Sequence, residues 1–340
     1  MKERSPRMML FSTDRAEPLI DQFGSLRRKL QDSLEGDGSV VIKIDGVRTR
    51  ITRRTEGRFV ALCASSDKDR LSGKGIMDRE VDVLLASAPF IDEASRRSEA
   101  RTRRLIHNLK GLTGKTTHEI FDVVRQDRMV VLNKDAIPLV EAEILEKSEA
   151  AARGFIEILK HQSAQKAEFF AFDKLVGGGE ALLIESHNVH SVLMNAFYLF
   201  FGEFESRKVR ATVEKTRQYA SFDYDAMHAC LYYLVDNAAK YCRKNSALNV
   251  TVSSDAVAKV VDIRFDMESL TINEDELEDV FKEGYSGREA IAEEANGSGI
   301  GLYQARELAR LNGGDLHLLT GRKLDRKYSK NTFTISIGNQ

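Results

Sequence analysis

Hydrophobic positions recur along the chain with changing periods, and the changes divide it into three regions. From Pro18 to Leu34, the residues Leu19, Phe23, Leu26, Leu30 and Leu34 fall at three- and four-residue steps. That spacing predicts one apolar helix face, ended by Gly36-Asp37-Gly38. Ser39–Ile44 and Val47–Arg53 then flank Asp45-Gly46. An Asp-Gly pair between β-branched runs predicts a hairpin, because both residues tolerate positive φ. Arg58–Cys63 reads as a third strand. Residues 1–86 are therefore expected to form a small α+β module, a candidate for regulation and without recognisable chemistry of its own.

Residues 87–180 carry a helical period instead. One segment runs from Ile91 towards Val131, and a second from Ala136 to Leu175, where Val140, Ile144, Ala151, Phe155 and Ile158 keep mainly heptad-like steps. Asn133-Lys134-Asp135 lies between them, with Asp135 as the expected N-cap. Helices of about 35–40 residues joined by so short a turn must be antiparallel, and each would be about 50–60 Å long. A lone pair of that length cannot bury both apolar faces. A second copy of the chain would complete a four-helix bundle, so a homodimer is expected. Gly177-Gly178-Gly179 is the expected joint to the next region.

Residues 181–340 alternate between the two periods. His190–Phe204, Tyr224–Cys242 and Ile300–Leu311 read as helices. Lys208–Val213, Leu248–Ser253, Ala258–Phe265, Asp315–Leu319 and Thr332–Ile337 read as strands. Closely spaced strands at the end predict an antiparallel or mixed sheet with helices on one face, an α/β sandwich. The fold class expected for the whole chain is multidomain α+β.

Composition narrows the function. Lys plus Arg number 51 and Asp plus Glu 52, a formal charge of -1, which excludes nucleic-acid binding driven by bulk positive charge. The longest strongly apolar stretch, near Met194–Phe201, is far short of the ~20 residues of a membrane span. Met1–Leu10 has no apolar core of a signal peptide. Cys63, Cys230 and Cys242 have no C-x-x-C spacing, which fits free thiols in a reducing cytoplasm.

Two motifs in the last region carry candidate chemistry. Gly297-Ser298-Gly299-Ile300-Gly301-Leu302 opens a helix; glycines let the backbone approach a ligand, and a helix N-terminus offers amides to phosphate oxygens. Leu234-Val235-Asp236-Asn237-Ala238-Ala239-Lys240 lies on an amphipathic helix. Asn237 and Lys240 are three apart and share a face. An amide oxygen can ligate magnesium, and an ammonium can approach phosphate. With Asp266 and the run Asp279-Val280-Phe281-Lys282-Glu283-Gly284-Tyr285-Ser286-Gly287 between them, the set resembles the ATP-binding domain of sensor histidine kinases, of the gyrase, Hsp90, histidine-kinase and MutL superfamily. The resemblance covers about residues 187–337. It implies that Asn237 binds magnesium, that Asp266 accepts from the adenine amino group, and that Phe281 with Gly284-Tyr285 forms the F box. It further implies that Gly297, Gly299 and Gly301 form the second glycine box, and that residues 283–297 form a lid over ATP. Two positions depart from the family: Asp266-Met267-Glu268-Ser269-Leu270 lacks both glycines of the D-x-G-x-G box, and Tyr233 stands four residues before Asn237 in place of Asn, His or Glu.

A third motif, Leu105-Ile106-His107-Asn108-Leu109-Lys110-Gly111-Leu112, sits in the first long helix, where histidine kinases carry their phosphoacceptor. Asn108 replaces the family's acidic residue, and the H-x-x-K-G run also resembles histidine phosphotransfer proteins. Both resemblances make His107 a nucleophile towards phosphorus, with Asn108 able to hydrogen-bond beside it and Lys110 steadying phosphoryl oxygens. The implied partner is the receiver domain of a response regulator, which the Arg96, Arg97, Arg101, Arg103 and Arg104 cluster is placed to meet. Two functions are expected from this set. One is a cytoplasmic, dimeric histidine kinase that moves the ATP γ-phosphoryl group to His107 and then to a regulator Asp. The other is a non-catalytic phosphotransfer or scaffold protein with a degenerate nucleotide domain.

Overall fold

The computed structural model describes residues 5–31, 36–127, 136–176, 181–255, 257, 259–293 and 299–338. The chain divides into two compact units, Met1–Arg104 and Leu105–Gln340. The first holds strands β1 (Arg7–Ser12), β2 (Ile20–Asp21), β3 (Gly38–Ile44), β4 (Val47–Glu56) and β5 (Phe59–Ser65) in an antiparallel sheet ordered β2-β1-β5-β4-β3. The expected β3–β4 hairpin turns at Asp45 and Gly46, with φ of 47° and 85°. Central strand β5 is buried along its whole length, as a strand covered on both faces must be. Phe59, Ala61 and Cys63 face Met77, Val81 and Leu84 of helix α3 (Lys74–Val123), while Val60, Leu62 and Ala64 face Phe23 and Leu30. Asp92 of α3, 1% exposed, accepts from Arg58 at 2.7 Å and from Arg96 at 3.0 Å.

The helix expected over Pro18–Leu34 does not form. Ile20 and Asp21 pair with β1, the Asp21 carboxylate accepts from the Phe23 and Gly24 amides, and Gly24 takes a φ of 54°. Among the described residues, only Arg27–Gln31 (α1) is α-helical there. Phe23 and Leu30 are still buried, so their three- and four-residue spacing recorded burial carried through a turn. Strand β1 was not anticipated; its Met8–Phe11 run has no alternation to read. A short helix α2 (Lys68–Ser72) is capped by Asp67.

Helix α3 starts at Lys74 and not near Ile91, with Pro89 inside it. The second expected helix is two: α4 (Ile137–Glu146) and α5 (Ser148–Leu175), separated at Lys147, whose φ of -118° and ψ of 42° are not helical. Within the second unit α3 and α5 are antiparallel. Gln165 Nε2 donates to Thr113 Oγ1 at 3.2 Å, a Cβ on Gly154 would lie 3.5 Å from Val123, and Lys147 Nζ donates to the Val123 carbonyl at 3.4 Å. Asp135 and Gly177-Gly178-Gly179 lie outside the described residues.

The remainder is the expected α/β sandwich. Strands β6 (Ile184–Asn188) and β8 (Tyr219–Asp223), which were not anticipated, form a two-stranded ribbon. The main sheet is ordered β11-β12-β10-β9-β7, from β7 (Arg210–Val213), β9 (Ala247–Asp255), β10 (Val260–Leu270), β11 (Asp315–Lys323) and β12 (Tyr328–Gly338). Only β7 and β9 pair in parallel. Helices α6 (Val189–Phe197), α7 (Phe201–Ser206), α8 (Tyr224–Tyr241), α9 (Arg288–Ala292) and α10 (Gly301–Leu311) complete the unit. The core alternates along β10: Val261, Ile263, Phe265 and Met267 are buried against the helices, with Phe265 stacked on Phe197 at 6.0 Å. Asp223 caps α8 by accepting from the Ala226 amide, and Asn312 accepts from the Asp223 amide at 2.7 Å. Among the described residues, no helix is long and apolar enough to cross a membrane.

Candidate functional site

Helix α8 buries most of its surface, Tyr233 included, and one stripe of it borders a cavity. Tyr233, Asn237 and Lys240, at i, i+4 and i+7, line a cleft of about 610 Å³. That volume suits a small-molecule ligand. Met267 and Phe333 line its base from the sheet, and Gly299 and Gly301 line it from the start of α10. A further wall comes from the helical pair: His107, Asn108 and Gly111 of α3, with His161 and Glu168 of α5. The cleft lies wholly within the second unit.

The glycine-run end has the stereochemistry that a close ligand requires. Gly299 has a φ of 66°, and a Cβ there would fall 2.6 Å from the Tyr285 carbonyl oxygen, so only glycine fits. Its own carbonyl accepts from the Gly284 amide at 3.0 Å, which ties Gly284 to the residues just before α10. A Cβ on Gly301 would sit 3.1 Å from Asn237 Nδ2. Asn237 Nδ2 and Gln304 Oε1 are both buried with no hydrogen-bond partner among the described residues, and both residues line the cleft. Unsatisfied polar atoms of this kind are costly unless a ligand meets them. Lys240 also lines the cleft, paired with Asp236. Gly297 lies outside the described residues.

Three expected site residues, Asp266, Phe281 and Lys110, do not line the cleft. Strand β10 does not close at Asp266 but pairs with β12 as far as Leu270. Alternation therefore turns Asp266 to the sheet's other face, where Arg264 donates to it at 2.8 Å and Thr332 at 2.6 Å. Burial alone would raise the Asp266 carboxyl; those donors hold it below the usual range. Met267 takes the place in the cleft expected of Asp266, followed by Ser269. Phe281 is buried behind the wall with the Arg306 guanidinium 4.6 Å from its ring centre. It is Val280, beside it, that lines the cleft.

On the helical wall, His107 is exposed and faces the cleft together with Asn108. Lys110 does not line it: three residues on, it falls about 60° to the far side of His107. His118 is paired instead with Asp122 at 3.5 Å. Burial, and then the neighbouring Glu168 carboxylate, push the Tyr233 hydroxyl well up, so it stays a neutral phenol. Burial pushes the His161 imidazole down and keeps it neutral.

One group had no signal in the sequence. Glu274-Asp275-Glu276 reads as a solvated acidic run, yet Glu276 is 1% exposed. Its carboxylate accepts from the Arg288 amide at 2.9 Å, from the Tyr285 hydroxyl at 3.0 Å and from Asn273. Burial alone would raise it, but these donors hold it at about 2. Glu276 thereby fixes both Tyr285, which lines the cleft, and the start of α9.

The donor set suits a nucleotide with a hard cation. Among the described residues no cluster of three His, Cys, Asp or Glu could hold a metal alone. A single amide such as Asn237, acting beside phosphate oxygens, is the sparse protein ligation that magnesium accepts.

Residues 222–338 match the family of histidine kinase-, DNA gyrase B-, and HSP90-like ATPases. This segment, from β8 to β12, is an ATP-binding domain of that family. The chain is similar to the solved catalytic domain of histidine kinase ThkA: 16% identity, 46% of this chain and 97% of that one, with a TM-score of 0.39. It is also similar to histidine kinase AdeS of Acinetobacter baumannii: 16% identity, 70% and 97% coverage, with a TM-score of 0.40. Full-length ShkA, solved in complex with AMPPNP, matches at 13% identity, 71% and 46% coverage, with a TM-score of 0.43. No curated protein matches the sequence.

Proposed function

We propose that the chain is an ATP-dependent histidine kinase that phosphorylates its own His107 and passes the phosphoryl group to an aspartate of a response-regulator receiver domain. The observation that carries this reading is the shared cleft: His107 lines the same cavity as Asn237, Gly299 and Gly301. A phosphate bound at the glycine run faces an exposed imidazole of the same chain, which is the proximity an in-line transfer needs.

The chemistry follows from those positions. The lone pair of one imidazole nitrogen forms a bond to the γ-phosphorus. The bond from that phosphorus to the β–γ bridging oxygen breaks, and ADP leaves with its electron pair. The other ring nitrogen keeps its proton. Asn237 is the residue that would hold magnesium, whose chemistry is charge neutralisation on the phosphates. Gly299 and Gly301 clear the backbone for the phosphate chain, and Asn108 hydrogen-bonds beside the imidazole. Tyr233 cannot act as a carboxylate base, so slow transfer is expected.

The homodimer belongs to the same reading. Phe155 is 56% exposed, Leu159 50% and Phe169 55%, all on α5, where a second copy would cover them. The location we infer is the cytoplasm, from the three free, buried thiols. Incubation with magnesium and γ-labelled ATP tests the core of the proposal. Acid-labile, alkali-stable label is expected on the wild type and absent from His107→Ala. Mixing His107→Ala with Asn237→Ala is expected to give no label, because acceptor and cleft act within one chain; label in the mixture assigns the transfer to two chains. The second reading, a phosphotransfer protein that takes phosphate from another kinase, is favoured by Met267, Ser269 and Thr271 at the base of the cleft, where no carboxylate meets a nucleobase. It predicts no labelling and no nucleotide binding.

A further inference from the structure

We infer that Lys115 binds the phosphoryl group as it passes from nucleotide to His107, an inference that rests on the kinase reading. Three lysines line the cleft, and two of them are committed. Lys160 is held by Glu203 and stands 5.2 Å from the centre of the Phe200 ring; Lys240 is held by Asp236. Lys115 has no hydrogen bond or ion pair among the described residues, and it is exposed to the cleft.

Helix geometry sets where its charge falls. His107, Gly111 and Lys115 are successive four-residue steps on α3, each about 6 Å along the axis. All three lie within about 80° of one another around the helix and face the cleft. Side chains on a helix lean towards its N-terminus, so the Lys115 stem leans over Gly111 in the direction of His107. Gly111 leaves that path open: a Cβ there would meet nothing within 4 Å. Asn237 and Gly301 line the same cleft as the space over Gly111.

A second, buried group borders the same place. His161 of α5 is 8% exposed and lines the cleft, and its Nδ1 has no partner among the described residues. The Lys115 charge acts on this ring. A neutral imidazole with a free ring nitrogen beside an uncommitted ammonium makes a polar corner that a phosphate oxygen satisfies. As the phosphoryl group leaves ADP, negative charge spreads over its three equatorial oxygens, and an ammonium beside them stabilises it there.

The test measures binding as well as turnover, on the full-length chain. Affinities for ADP and for a non-hydrolysable ATP analogue, both with magnesium, are titrated for the wild type, Lys115→Met and Lys115→Arg. Loss of one charge-assisted contact is expected to lower the ATP-analogue to ADP affinity ratio about tenfold in Lys115→Met, with Lys115→Arg in between. Labelling of His107 should slow at least as much. A wild type that binds and labels, with a ratio unchanged in Lys115→Met, overturns the role of Lys115 alone. A wild type that binds neither nucleotide overturns the kinase reading and this assignment together.

Discussion

The two ends of the cleft were built under different constraints. At the end proposed for phosphate, the cleft offers backbone and one amide: Gly299 has no room for a side chain, Gly301 abuts Asn237, and Asn237 Nδ2 is buried with no partner among the described residues. At the other end the cleft is lined by Met267 and Phe333, and the acids on either side of Met267 in sequence, Asp266 and Glu268, do not line it. Under the kinase reading, the first end would meet phosphate by shape and dipole. The second offers a base a flat apolar slot, with dispersion and stacking in place of a charged acceptor. A cleft of this kind selects for a triphosphate more strongly than for a particular nucleobase.

The largest effects are therefore expected at the phosphate end. Asn237→Ala should lower labelling of His107 by at least about a hundredfold, because it removes the amide placed beside the phosphates. Gly299→Ala puts a methyl group 2.6 Å from the Tyr285 oxygen at a φ of 66°. It should cost about 2 kcal/mol or more in urea denaturation and abolish nucleotide binding by titration. If either variant labels like the wild type, the phosphate end has been assigned to the wrong residues.

How much of this was legible in the sequence follows the same division. The stripe of α8 and the glycine run were readable because each is local: Asn237 and Lys240 are one turn apart, and Gly299 and Gly301 nearly adjacent. The base end was misread by a single residue. In a strand, one step moves a side chain to the opposite face, and only the pairing of β10 with β12 as far as Leu270 fixes which face Asp266 takes. Lys110 was misread for the helical version of that reason, since three residues carry it past His107 to the far side. The helix expected over Pro18–Leu34 failed because Phe23 and Leu30 reach the same core from a turn and a short helix. Glu276 left no trace, as its partners Tyr285 and Arg288 come from a segment that folds back onto it.

Glu276, which anchors Tyr285 at the cleft, should give an intermediate effect. Glu276→Gln leaves one fewer acceptor for the Arg288 amide and Tyr285 hydroxyl, so nucleotide affinity is expected to fall about tenfold. The sign of its pH dependence is fixed by a folded value of about 2, below an unfolded value of about 4.3. Its stabilisation is complete above the unfolded value and is lost as pH falls through the folded one. Chemical denaturation should show wild type and Glu276→Gln differing most above about pH 4.5 and converging near pH 2. A difference that grows on acidification would contradict the anchoring role.

The smallest expected effect is the most discriminating. If Asp266 belongs to the far face of the sheet, Asp266→Asn should change ATP affinity less than about twofold, while the loss of its pairing with Arg264 and Thr332 costs about 1 kcal/mol of stability. The companion change, Met267→Asp, places a carboxylate in the cleft, where an adenine amino group can donate to it and a guanine carbonyl oxygen cannot. It should raise the ATP to GTP affinity ratio, which in the wild type is expected to lie within about tenfold of unity. An Asp266→Asn variant that loses ATP but keeps its stability would reverse the assignment. It would mean that β10 shifts its register by one residue when nucleotide binds, and the contrast between the two ends would then describe only the empty cleft.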